Sequence, residues 1–155
     1  MPDLFERVVL PVADPEDAAA TCRAVEPYLT GEVVALHVIE KAGGAPDKAS
    51  VEQREEYAEE IFDVVRDRLG DVETEVRFDT DVTDGIFAAA DDHDATSIVV
   101  TPRGGNRFVK LLTGDVALDL MTETDRPVVV LPDPDDRDGD ADTETTETSG
   151  ESDPE

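Results

Sequence analysis

The chain has 155 residues, enough for one domain with a real core. Its 40 Asp plus Glu against 13 Lys plus Arg give a formal net charge of −27, a field that repels nucleic acid and anionic lipid. One cysteine, Cys22, excludes an intramolecular disulfide and a multi-cysteine metal site, and no window holds the ~18 apolar residues of a membrane span.

Residues 1–7 carry charges early and lack an apolar run, so no signal peptide is expected and the protein is placed in the cytoplasm. Residues 5–12 (FERVVLPV) end in a β-branched apolar run, the pattern of a strand buried on both faces. Asp14-Pro15-Glu16-Asp17 then starts a helix, with Asp14 as N-cap, Pro15 at the first helical position and acids in the first turn. Cys22, within residues 18–25, reads as a small buried residue rather than a nucleophile. Pro27 disfavours helix at Glu26, so the regular part ends or kinks there. Residues 31–39 (GEVVALHVI) form a second buried strand.

A Gly-, Ala- and Pro-containing loop over 41–49 follows. Ser50 with Gln53 predicts a capping box for a helix over 51–69, with Tyr57, Ile61, Val64, Val65 and Leu69 on its apolar face and Gly70 as the residue that ends it. Residues 72–78 (VETEVRF) alternate apolar and polar, which predicts a half-exposed edge strand. A short helix over 83–93 leads to a buried strand over 95–101 (ATSIVVT). Then come a basic, Gly-containing loop over 102–113, a helix over 113–123, a turn at Asp125-Arg126-Pro127 and a last strand over 128–131.

The order β-α-β-α-β-α-β-α-β predicts an α/β fold: a doubly wound, mostly parallel five-stranded sheet with helices on both faces. Ligands of such sheets sit beyond the carboxyl ends of the strands, where the strand order switches. Residues 132–155 hold 11 acids, one Arg (Arg137), no aromatic and no branched aliphatic. The chain therefore divides into a domain over 1–131 and an acidic, disordered tail over 132–155, read as solvating, with partner docking as the alternative. Only Lys41, Lys48 and Lys110 are lysines. Such an acid-rich, Lys-poor composition suits molar salt, where the Debye length falls to about 3 Å and like charges stop repelling. An ordinary acidic protein with an acidic tail is the alternative.

Three stretches carry a family resemblance. VVLPVADPEDA, VVALHVIE and IVVTPRGGNRFVKLLTGDVALDL followed by RPVVVLP are similar to the first strand and turn, the second strand, and the nucleotide loop with its flanking elements in the universal stress protein family. The resemblance covers residues 5–131 and implies a Rossmann-like fold of the adenine-nucleotide alpha hydrolase-like type. It places a nucleotide site at Val12, Ala13, Asp14, Val38, Thr101, Arg103, Gly104, Gly105, Gly114, Asp115 and Val116, and it implies a homodimer through the last strand.

ATP-binding members read Gly, two residues, Gly, nine residues, Gly, then Ser or Thr. Here the register is Thr101-x2-Gly104-x9-Gly114-Asp115. Glycines let backbone approach phosphate oxygens, and a helix N-terminus supplies free N–H groups. Asp115, read as the N-cap of that helix, sets a negative charge where a phosphate would lie, and charges about 4 Å apart repel by about 1 kcal/mol in water. Where nucleotide-binding relatives place an Asp after Pro-Val, this chain has Ala13; Asp14 either caps the helix or substitutes after a local shift. Arg103, Arg107 and Lys110 gather cations in the loop, for a small anion or for charge balance that includes Asp115.

His93, beside Asp91, Asp92 and Asp94, is a weak metal candidate, and no metal site is assigned. No supported Ser-His-Asp set, cysteine nucleophile or distinct carboxylate pair is legible, so no catalytic residue is assigned. The expected protein is a non-enzymatic regulatory or stress-response protein with a degenerate nucleotide loop, no cofactor expected and ATP doubtful. The alternatives are an ATP-binding switch or slow ATPase, and an accessory domain that docks on a membrane transporter; nucleic acid and membrane insertion are excluded.

Overall fold

The computed structural model describes residues 3–41, 48–101 and 114–132, and only the backbone of 48–49 and 114–117. The acidic tail from 133 onward and the loop over 102–113 lie outside these residues. The elements are β1 (Arg7–Pro11), α1 (Pro15–Val25), a short 3-10 turn (Glu26–Tyr28), β2 (Glu32–Glu40), α2 (Lys48–Leu69), β3 (Glu73–Asp79), α3 (Val82–Asp92), β4 (Ser97–Val100), α4 (Gly114–Thr122) and β5 (Val128–Val130).

All strand pairings are parallel and the order is β3-β2-β1-β4-β5. β1 is central, which explains why all but its first residue are buried. The half-exposed β3 takes one edge, as its alternation predicts, and β5 takes the other. Strand alternation sends Val9, Val34, Leu36, Ile98 and Val100 to one face, where Ile86, Ala89 and Ala90 of α3 and Leu120 of α4 cover them. Val12 and Ala35 point to the other face, under Ala18 and Cys22 of α1 and Ile61, Phe62 and Val65 of α2, and on the same face Val8 and Leu10 pack with Ala24 and Val25 of α1. Arg126 locks the entry to β5. Its guanidinium donates to the carbonyls of Ala90 and Ala95, both at 2.9 Å, and pairs with Asp91. The cation thus ties the last turn of α3 and the turn that follows it to the entry of β5.

Helix α2 departs from its sequence reading in two ways. It starts at Lys48, so Ser50 lies inside the first turn and does not serve as the N-cap of a capping box. The buried stripe is Ala58, Ile61, Phe62 and Val65, an i, i+3, i+4, i+7 pattern, whereas Tyr57 is 39% exposed. Residues 52–57 are all exposed, and Tyr57 lies beside the His37 ring at the carboxyl end of β2 rather than within the core. Gly70 ends α2 with φ 83°, the left-handed conformation that glycine adopts without steric cost. No helix among the described residues is long and apolar enough to cross a membrane.

Candidate functional site

After β1 the chain turns into α1 on one face, while α3, on the other face, leads into β4. The strand order therefore switches between β1 and β4, and a crevice opens beyond their carboxyl ends.

The turn from β1 to α1 forms the first wall. Val12 N–H donates to Leu36 O at 2.8 Å and prolongs the ladder past β1. Asp14 is extended, with φ −157°, and caps α1 by accepting from Asp17 N–H at 2.7 Å. Asp17 reaches back and accepts from Ala13 N–H at 2.9 Å. Each carboxylate thus holds a backbone N–H of the same turn, the logic of a capping box, and both residues are 4% exposed. Asp14 has the N-cap role that the Asp-Pro pattern predicts. Asp17 was legible only as a first-turn acid; its return bond needs a bend that the sequence does not display.

Behind this turn stands His37, which the sequence marks only as a residue inside a strand. Register pairs Pro11 with Leu36, so His37 is level with Val12, and its Nδ1 lies 2.8 Å from Val12 O. A carbonyl only accepts, so Nδ1 carries the proton and the neutral ring leaves Nε2 as an acceptor. Burial pushes the His37 pKa below its ordinary 6.5, against smaller opposing effects of the Val12 hydrogen bond and the Asp14 charge. The unfolded chain then binds the proton more readily than the folded one. Stability contributed by neutral His37 is present above pH 6.5 and is lost as pH falls through the folded pKa. We expect the His37 ring resonances to titrate with a midpoint below 6.5, read by NMR; a midpoint above 6.5 contradicts this burial.

Residues 11–13 and 36–38, with Val82 and Ile86 of α3, line a cleft of about 60 Å³. Val12, Ala13 and Val38 therefore share one space. Gly85 makes it narrow: a Cβ there would sit 2.8 Å from Val38 Cγ1, so only glycine lets α3 pack this closely against β2. The cleft is far below the ~300 Å³ at which sites for small organic ligands begin.

Thr101 follows β4 at the next strand end. It is 4% exposed, and its Oγ1 is buried with no hydrogen-bond partner among the described residues. A buried hydroxyl without a partner costs roughly 1–3 kcal/mol. The helix after the loop over 102–113 starts at Gly114, so Asp115 is its second residue and Val116 its third. Asp115 thus lies in the first turn rather than at the N-cap position read from the sequence, and an acidic residue in a first turn suits the positive end of a helix. Arg103, Gly104, Gly105, Arg107 and Lys110 lie outside the described residues.

Other candidates resolve into structure. His93 Nε2 is 2.7 Å from Glu75 Oε1, and Nδ1 is 3.8 Å from Glu73 Oε2, both on β3. No group of three or more His, Cys, Asp or Glu able to hold a metal occurs among the described residues. Burial pushes the Cys22 thiol up to about 12, so it is unreactive as a nucleophile.

Comparison with known proteins bears on the whole chain. A universal stress protein from Archaeoglobus fulgidus, solved in complex with dAMP, is 19% identical with a TM-score of 0.59 over 83% of this chain and 98% of its own. UspA from Lactobacillus plantarum is 20% identical with a TM-score of 0.58, covering 82% of this chain and 97% of that one. A universal stress protein solved in complex with cAMP is 16% identical with a TM-score of 0.56, over 82% and 97%. These likenesses establish the fold. No curated protein sequence matches the chain. The sequence model of the universal stress protein family matches residues 4–132, and the chain belongs to that family.

Proposed function

We propose that this chain is a regulatory, non-enzymatic member of the family whose nucleotide site is degenerate. The observation that carries this reading is the closed β1–α1 turn. Ala13 offers a methyl where a carboxylate would hold a nucleoside, and Asp14 is engaged with Asp17 N–H as the cap of α1. Freeing Asp14 for a ligand would cost the cap, about 1 kcal/mol. The relatives solved with dAMP and cAMP support an adenine nucleotide as the class of ligand that such a site would have held. Asp115 in the first turn of α4 opposes a phosphate there.

Wild-type protein is expected to bind ATP weakly or not at all by calorimetry in high salt. The double variant Thr101→Gly with Asp115→Ser restores the Gly-x2-Gly-x9-Gly-Ser spacing and removes both obstacles. Its ATP affinity should rise at least tenfold, which needs only about 1.4 kcal/mol. Tight binding by the wild type, or no gain in a folded double variant, sinks the reading. A second reading, an ATP-binding switch, is favoured by Thr101, whose buried hydroxyl has no partner among the described residues and would gain one from a ligand. Tight ATP binding by the wild type that is lost in Thr101→Val selects it.

The partner we propose is a second copy, added along β5. Ile98 N–H donates to Pro127 O and Leu131 N–H to Val100 O, so the odd-numbered residues of this strand bond inward to β4. Val128 and Val130 then direct their N–H and C=O groups outward, and Val130 is 51% exposed. Val130→Pro deletes an outward donor without touching the β4 ladder and should give monomers by light scattering. A fully dimeric variant places the interface elsewhere.

A further inference from the structure

We propose that the cleft between the carboxyl end of β2 and the exposed part of α2 is a second small-molecule site, one that takes a small planar aromatic ring bearing a carboxylate. The cleft has a volume of about 320 Å³ and is lined by His37, Ile39, Gln53, Arg54 and Tyr57. It lies on the α2 face of the sheet, whereas Val38 and the 60 Å³ cleft lie on the α3 face, and His37 is the wall between them. Nothing derived above for the switch-point crevice uses this space.

The walls select the ligand class. Buried Ile39 and the rings of His37 and Tyr57 make the surface largely apolar. The two rings meet edge to face, with centroids 6.2 Å apart and planes at 69°, which leaves flat ring surface for a third ring to stack on. Tyr57 is an amphipathic aromatic that the fold leaves exposed beside a cavity rather than placing in the core. The volume is at the low end of the ~300–1,000 Å³ range of ligand pockets, which suits a one- or two-ring molecule and excludes a nucleoside triphosphate.

The polar groups set the substituents. Arg54 is the cation in the wall. The one hydrogen bond it makes among the described residues is long, Nη1 to Glu40 O at 3.4 Å. Among the described residues it makes no ion pair, although its own helix carries Glu52, Glu55, Glu56 and Glu59. A guanidinium so placed can take a carboxylate in two parallel hydrogen bonds, and a chain of charge −27 can hold an anion only where such a cation stands. His37 Nε2 accepts, because Nδ1–H is committed to Val12 O and burial keeps the ring neutral. A ring N–H or O–H on the ligand therefore has an acceptor, and the Gln53 amide can serve either role.

Indole-3-carboxylate carries all three features and serves as the probe. The chain has no tryptophan, so indole emission reports the probe alone. In about 1 M KCl the wild type should shift that emission saturably with a Kd of roughly 1 mM or tighter. Arg54→Gln and Tyr57→Ala, both surface changes, should each weaken binding at least tenfold, and indole without its carboxylate should bind the wild type at least tenfold more weakly. Added AMP should not displace the probe. No saturable shift up to about 10 mM, equal affinity in both variants, or displacement by AMP would each overturn the assignment, the last by moving the probe into the switch-point crevice.

Discussion

Raising KCl from about 0.1 M to 2 M is expected to lift the melting temperature by more than about 10 °C, a gain of roughly 2–3 kcal/mol for a domain of this size. The formal charge of −27 is the cause. The tail's 11 acids and one arginine carry −10 of it, which leaves −17 on residues 1–131. Within α2, Glu52, Glu55, Glu56 and Glu59 stand three and four residues apart on the exposed side, where like charges destabilise a helix. Salt screens this repulsion.

It also screens attraction, and the two effects must be weighed. Arg7 pairs with Glu32 and Glu73, Arg66 with Asp63, Arg77 with Glu75 and Asp92, and Arg126 with Asp91. Their acidic partners are mostly well exposed, and pairs of this kind contribute about 0–1 kcal/mol each. Salt removes part of a small sum on that side. On the other it removes repulsion distributed over an excess of 27 negative charges, which favours unfolding at every site. Repulsion wins. A melting temperature that stays flat or falls between the two salt concentrations defeats the reading of this composition as an adaptation to salt.

Phe62→Ala is expected to cost about 3–5 kcal/mol, whereas Tyr57→Ala should cost less than about 1 kcal/mol. Phe62 is 1% exposed and heads the large side chains buried in the core, packed with Ala18, Cys22, Ala35 and Ile61 between α2 and the sheet. Deleting its ring loses the transfer free energy and leaves a cavity that close-packed neighbours cannot fill. Against a total stability of about 5–15 kcal/mol the variant is marginal, so the comparison belongs in molar KCl, by urea unfolding with unchanged m-values. Tyr57 is large but has solvent on one side, so its removal opens no cavity. Equal losses in the two variants would mean that α2 presents a different face to the sheet.

Much of the fold is written in local pattern. Runs of β-branched residues, the Asp14-Pro15 start, Gly70 and the alternation in β3 each act within a few residues, so chain order alone places β1 to β5 and their helices. The candidate site was legible wherever a short motif carries it: Gly104 and Gly114 keep a spacing, Thr101 stands where a glycine is missing, and Ala13 where an acid is missing. Periodicity defined an apolar stripe on α2 only to within one residue, or about 100° of rotation, and included Tyr57 while passing over Ala58 and Phe62. Which neighbour turns inward is settled only when the helix packs on the sheet.

By itself, then, the sequence determined the α/β order, the edge position of β3, the cap at Asp14 and membership of the family. Tertiary structure decided the contacts between residues distant along the chain. His37 is 25 residues from Val12, yet register sets them level and fixes the tautomer. Gly85 meets Val38 because a helix crosses a strand end. Val130 rather than Val129 faces outward because the ladder to β4 has a parity of its own. Local preferences act through backbone dihedrals and neighbouring side chains. Parity, register and rotation are set only when two such segments pack, by the hydrogen bonds and buried area they then share.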